Sequence, residues 1–294
     1  MPSPELQAFL ANFPACMMDE ADPLPVVREK MYAIHPTDHG EDTVVDRVSI
    51  ANIPCAWVTV PETDESRTVF FVHGGAFVST GITEYMRSCE SVARYCRARV
   101  LLVEYSLAPE RRYPTQLDEL LAVYDAAQLD PARTAFMGDS CGGGMSFALM
   151  CRLRERGDTL PACYAGLTPW LDAAQQGDAA CNPRGVDPFV KCEWIRARFK
   201  DYAREDQLDD PLVSPINAEL AGLPPLYLGV GTIDTTSDDS TRLAGRAAQA
   251  GVQVSLDINA GMVHGLHGLE NICPESKQAM RRVGEFVQSW IPDQ

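Results

Sequence analysis

From Thr43 onward the chain alternates between two apolar patterns. Short runs that are apolar throughout, or that alternate with polar residues, predict strands. Longer runs with apolar residues three and four apart predict helices. Thr43–Ala51 alternates and is rich in β-branched residues. Pro54–Val60 follows as its hairpin partner and Thr68–Val72 comes next, so the sheet opens antiparallel or mixed. Helical periodicity then covers Glu84–Arg97, Gln116–Ala127, Gly142–Arg156, Arg242–Ala250 and Ser276–Trp290. Between these lie the apolar strands Val100–Glu104, Thr134–Met137, Cys163–Leu167, Leu226–Val230 and Val252–Ile258. Fully apolar strands that alternate with helices predict an α/β fold: a buried, mostly parallel sheet of about eight strands with helices on both faces.

Two stretches fall outside this rhythm. Residues 1–45 carry short helical patterns at Glu5–Phe13 and Val26–His35, separated by Pro and Asp, with little strand character. Residues 173–215 contain a loop-like segment, Asp172–Pro188, and a helical one, Phe189–Tyr202, set between two sheet strands. Residues 1–45 therefore read as a helical cap arm and residues 46–294 as the main domain. An insertion at about 185–210 is expected to join the arm over the sheet's carboxyl edge. Trp194 and Phe199 are candidate pocket walls, with ordinary core packing as the alternative.

The 294 residues suit one α/β domain with an attached subdomain. Hydrophobic residues at 46% and charged residues at 22% are ordinary for a soluble globular protein. Lys and Arg total 25 against 41 Asp and Glu, a net charge of −16, which opposes binding to nucleic acid or anionic membrane. No apolar run reaches the ~20 residues of a membrane helix. The N-terminus has neither a basic start nor a long apolar stretch, so a cytoplasmic location is expected rather than export. The ten cysteines are scattered, with no C-x-x-C pair, and read as reduced core residues.

Candidate chemistry begins at Gly138-Asp139-Ser140-Cys141-Gly142, a G-x-S-x-G pattern between a predicted strand and a predicted helix. That context places a nucleophilic serine on a sharp strand-to-helix turn. The flanking glycines avoid collision in the turn, and the helix N-terminus favours developing negative charge. A phosphate loop would need Lys and Ser/Thr where Gly144-Met145 stand. The apolar strand Val69–Val72 runs into His73-Gly74-Gly75-Ala76-Phe77, an H-G-G segment of the kind that supplies oxyanion-hole amides. Gly74 and Gly75 are the expected donors, with the amide of Cys141 as the third. His73 reads as a structural residue.

These segments, with Glu104–Glu110 (E-Y-S-L-A-P-E), resemble the hormone-sensitive-lipase family of α/β-hydrolases, mainly bacterial carboxylesterases. The family motifs read H-G-G-G/A-F, Y-R-L-A-P-E, G-D-S-A-G-G, D-P-L-x-D-E and a late H-G-F. The match runs in order from about residue 67 to the C-terminus. It implies an α/β-hydrolase fold with a small cap. Departures are Ala76 for a third glycine, Cys141 for alanine, Ser106 for arginine and Thr235-Thr236 for Pro-Leu. Cys141 is expected to narrow the pocket or to confer sensitivity to thiol reagents.

The triad order in this fold is Ser, acid, His. His264 and His267 follow Ser140, and His264, in Val263-His264-Gly265-Leu266, matches the late motif. Asp234, at the end of the strand Leu226–Val230, matches the first acid of D-P-L-x-D-E. Asp238 and Asp239 read as helix N-terminal acids. A zinc site at His264-x-x-His267 would lack the Glu of H-E-x-x-H. The resemblance implies ester hydrolysis through Ser140, Asp234 and His264, with no metal and no cofactor. The substrate would be a short- to medium-chain ester, and a homodimer could form through Val252–Ile258. Lactone or amide hydrolysis and acyl transfer use the same chemistry. A non-catalytic ligand-binding protein on this scaffold is the alternative from another class.

Overall fold

The structure, a computed structural model, describes residues 2–12, 17–177 and 187–293. Its strands are β1 (Val44–Ile50), β2 (Ile53–Thr59), β3 (Asp64–Val72), β4 (Ala98–Val103), β5 (Thr134–Asp139), β6 (Cys163–Leu167), β7 (Leu226–Gly231) and β8 (Val254–Asn259). The helices are α1 (Pro4–Ala11), α2 (Leu24–Ile34), α3 (Ile82–Cys96), α4 (Thr115–Ala127), α5 (Cys141–Arg156), α6 (Cys192–Tyr202), α7 (Ser237–Gln249) and α8 (Pro274–Trp290).

The strands form one eight-stranded sheet in the order β1-β2-β4-β3-β5-β6-β7-β8. β1 with β2 and β2 with β4 are antiparallel; every other pair is parallel. β2 therefore pairs with β4 and not with the sequentially adjacent β3. The crossover from β3 through α3 lays β4 on one side of β3, and β5 returns to the other side. The connections thus reverse direction at β3, which opens a crevice between the loops after β3 and β5.

Strand side chains alternate between two cores. Phe70, Val72, Leu101 and Phe136 pack with α4 and α5, whereas Val69, Phe71, Val100 and Met137 pack with α3 and α8. In α3, Ile82, Tyr85, Met86, Cys89, Val92, Ala93 and Cys96 are buried, a spacing of three and four that makes one apolar stripe. α7 begins five residues before the expected Arg242. Its first turns carry Asp239 and Ser240, buried polar residues that hide the helix from an apolar count. α6 begins at Cys192, three residues later than expected, because Phe189 and Val190 belong to a loop held by Asp187. Cys16 and Cys181 lie outside the described residues, and the other eight cysteines are buried. Among the described residues no helix is long and apolar enough to cross a membrane.

Candidate active site

Ser140 occupies the turn between β5 and α5 with φ 55° and ψ −126°. A non-glycine residue held there stores on the order of 1–3 kcal/mol of strain, which the surrounding packing must overcome. The packing leaves no room for side chains on either flank. A Cβ on Gly138 would lie 2.3 Å from the carbonyl oxygen of Gly142, and one on Gly142 would lie 2.2 Å from that of Val72.

The loops after β7 and β8 bring Asp234 and His264 to this turn. His264 Nε2 lies 2.9 Å from Ser140 Oγ, and His264 Nδ1 lies 3.1 Å from Asp234 Oδ1. A carboxylate only accepts, so Nδ1 carries the proton and the Nε2 lone pair faces the serine. Asp234 Oδ1 also accepts the Thr236 amide at 2.8 Å and the Thr236 hydroxyl at 2.9 Å. All three members of this chain are buried. Burial disfavours a charged imidazolium at His264. The charge of Asp234 and its hydrogen bond, with the charges of Asp187 and Asp139, outweigh that and raise His264 above its ordinary 6.5. The arrangement can pass the Ser140 proton to His264 and stabilise the resulting cation.

The loop after β3 turns through three consecutive left-handed residues, Gly75 (φ 102°), Ala76 (φ 56°) and Phe77 (φ 67°). Gly75 and Ala76 line the same cavity as Ser140, while Gly74 does not. Gly74 sits behind them: a Cβ there would lie 2.4 Å from the Tyr85 hydroxyl and 3.1 Å from the Asp139 carbonyl oxygen. Of the residues expected to supply oxyanion amides, Gly75 lines the cavity with Ser140, and Cys141 follows Ser140 at the start of α5. Ala76, which stands in place of a third glycine, lines the cavity beside Gly75. The Cys141 thiol points away from the cavity. Its sulfur accepts the Phe77 amide at 3.1 Å and lies 3.9 Å from the Tyr105 hydroxyl. Burial pushes this thiol up to about 12. The expected narrowing of the pocket by Cys141 is thus corrected by the direction of its side chain.

His73 is buried and stacked on Tyr105 at 4.1 Å, with Nδ1 2.7 Å from the Gly74 carbonyl oxygen. His267 packs against β7 at Gly229 and lines the same cavity as Ser140, with no hydrogen bond to it. Burial lowers each of these two imidazoles to about 4. Asp239 is more than a helix-end acid: it accepts the amides of Leu171 and Asp172 at 3.0 and 3.1 Å, and burial raises it to about 7.

A cavity of about 410 Å³ opens onto Ser140 and His264. Phe9, Met18, Met31 and Ile34 line it from the N-terminal arm, and Phe189, Val190 and Trp194 from the segment before and within α6. Phe199 does not line it, packing instead against Phe77 and Trp170 at 5.1 and 5.8 Å between ring centroids. Two close neighbours of His264 carry no sequence motif. Trp170 Nε1 lies 3.2 Å from His264 Nε2, and Asp187 accepts the His264 amide at 3.2 Å.

A mostly parallel sheet with a buried serine, carboxylate and imidazole on the carboxyl-edge loops after β5, β7 and β8 defines an α/β-hydrolase. A family described as an alpha/beta hydrolase fold matches residues 69–268. An esterase from Acinetobacter venetianus is 32% identical over 228 residues, covering 76% of this chain and 75% of that protein. The carboxylesterase NlhH of Mycobacterium tuberculosis is 28% identical, covering 95% and 93%. Among solved structures, esterase EstE5 is 29% identical with a TM-score of 0.92, covering 98% and 99% of the two chains. An esterase from the bacterial hormone-sensitive lipase family is 32% identical with a TM-score of 0.88, covering 99% of each. The chain belongs to the hormone-sensitive-lipase family of α/β-hydrolases.

Proposed function

We propose that this carboxylic ester hydrolase cleaves short- to medium-chain acyl esters through an acyl-enzyme on Ser140, with His264 as base and Asp234 as its orienting carboxylate. The observation that carries this reading is the continuous run from Ser140 Oγ to His264 Nε2 at 2.9 Å and from Nδ1 to Asp234 at 3.1 Å. Ser140 attacks the ester carbonyl as its proton moves to Nε2. The oxyanion is held by the amides of Gly75, Ala76 and Cys141, each worth ~2.7–4 kcal/mol in such sites. The alcohol leaves with the proton from His264, and water repeats the sequence on the acyl-enzyme. Gly74 supports the donor turn from behind.

We assign residues 1–45 and about 185–210 to a cap whose apolar side chains set acyl length. The 410 Å³ cavity, walled by Phe9, Met18, Met31, Phe189 and Trp194, favours short and medium chains. The related EstE5 has been soaked with p-nitrophenyl butyrate, which suggests the probe series. The test is hydrolysis of p-nitrophenyl esters from acetate to palmitate, with Ser140→Ala in parallel. Activity peaking at short chains and lost in the variant is expected; full activity in Ser140→Ala would overturn the assignment.

The edge strand β8 exposes Leu256 (38%) and Ile258 (50%) beside an unpaired backbone edge. This supports pairing of two copies through β8, which sedimentation of wild type against Ile258→Lys tests; a monomer in both would refute it.

A further inference from the structure

Asp187 lies beside the Ser140–His264–Asp234 chain without belonging to any motif. Its carboxylate accepts four backbone amides. Oδ2 takes those of Thr235 and His264, each at 3.2 Å, and Oδ1 takes those of Phe189 at 2.9 Å and Val190 at 3.4 Å. The first two belong to the loops that carry Asp234 and His264. The second two belong to residues that wall the cavity. A second tie runs beside it, from the Thr235 hydroxyl to the Val190 carbonyl at 2.9 Å. The family pattern has proline where this chain has Thr235, and proline has no N–H to donate. The Thr235 bond to Asp187 therefore depends on this chain's own departure from the pattern.

A buried carboxylate is costly unless its oxygens are satisfied, and here both are. The ionisable groups that face it are Asp234 and His264. Burial and the like charge of Asp234 raise Asp187 to about 6, and the His264 imidazolium pulls the other way. A second negative charge is thus held next to the base at a cost in stability, a pattern that suits a working site better than a structural clamp.

We propose that Asp187 is a positioning residue for the hydrolysis: it fixes the base loop and the pocket wall as one unit, and its charge supports the imidazolium formed when Ser140 attacks. This rests on the assignment of Ser140 and His264 as nucleophile and base. The charge favours the protonated imidazole, so removing it leaves His264 neutral to lower pH but a weaker base.

The experiment compares wild type, Asp187→Asn, Asp187→Ser and Thr235→Val on p-nitrophenyl butyrate across pH, after a thermal melt shows which variants are folded. Asp187→Asn is expected to lower kcat by about tenfold, with the acid limb of kcat/KM moved down by roughly half to one pH unit. Asp187→Ser, smaller and also uncharged, carries the same expectation if the Asn variant does not fold. Thr235→Val removes only the side-chain tie and is expected to raise KM with the limb in place. An unmoved limb in the folded Asp187 variants, or a loss confined to KM, would overturn the proposal and leave Asp187 a wall clamp. Residual hydrolysis by Ser140→Ala equal to wild type would instead sink the nucleophile assignment, so the two failures are distinguishable.

Discussion

The indole N–H of Trp170 points at the Nε2 atom of His264 from 3.2 Å, the same atom that Ser140 Oγ approaches to 2.9 Å. One lone pair thus faces two donors. The indole bond stabilises neutral imidazole and competes with the serine for it. Trp170→Phe removes the donor while keeping an aromatic ring. The acid limb of kcat/KM should move up by roughly half a pH unit, with the plateau kcat unchanged or higher. A downward move would refute the competition.

The pH profile of the wild-type enzyme follows from the raised His264. Its neutral form does the work, so kcat/KM should rise with pH and reach half its maximum above the ordinary imidazole value of 6.5. In Asp234→Asn the raising charge and its hydrogen-bond acceptor are replaced, and the imidazole tautomer is no longer fixed. The limb should move down and kcat fall by roughly 10⁴-fold. A loss of less than about tenfold would reassign the carboxylate.

Thiol reagents should leave the folded enzyme active. Cys141 is buried against Phe77 and Tyr105, and burial pushes its thiol up to about 12, so almost no thiolate is present at neutral pH. Iodoacetamide at pH 8 is expected to cause no loss of ester hydrolysis over an hour. Rapid inactivation that a bound substrate analogue prevents would show the thiol to be accessible from the cavity.

Gly142→Ala should destabilise the fold as well as stop catalysis. The added methyl would lie 2.2 Å from the Val72 carbonyl oxygen and 2.3 Å from that of His73, both backbone atoms at the end of β3. Parting α5 from β3 costs about 3 kcal/mol or more, to be read as a lower urea midpoint. An unchanged midpoint would mean that the turn is looser than its contacts require.

Acyl-length preference should respond to the N-terminal arm. Met31 and Phe9 line the cavity from α2 and α1. Met31→Trp is expected to shorten the preferred acyl chain, and deletion of residues 1–30 to broaden the preference or abolish activity. The p-nitrophenyl ester series reads both, and an unchanged profile in both would remove the arm from the pocket.

Most strand and helix positions were legible because the central strands are apolar throughout, β1 alternates and most helices carry a stripe. Cys163–Leu167, for example, has the expected bounds. The exceptions have separate causes. α7 starts on polar residues that are buried because Asp239 binds backbone amides of the loop after β6. No apolar count registers that. The neighbour of β2 was hidden for a different reason, since strand order depends on crossovers and not on local pattern.

The sequence by itself singled out Ser140, Asp234 and His264 as the candidate residues. Short motifs tie each residue type to a strand end, and glycine marks where backbone must pass close. Only the tertiary structure decided what surrounds them. Asp187 and Trp170 reach His264 with one carboxylate and one indole N–H, from positions 77 and 94 residues away along the chain. The same holds for Phe9, Met31 and Trp194, which share a cavity across most of the chain. Such contacts leave no periodicity and no fixed spacing, because they depend on where loops meet after the sheet has formed.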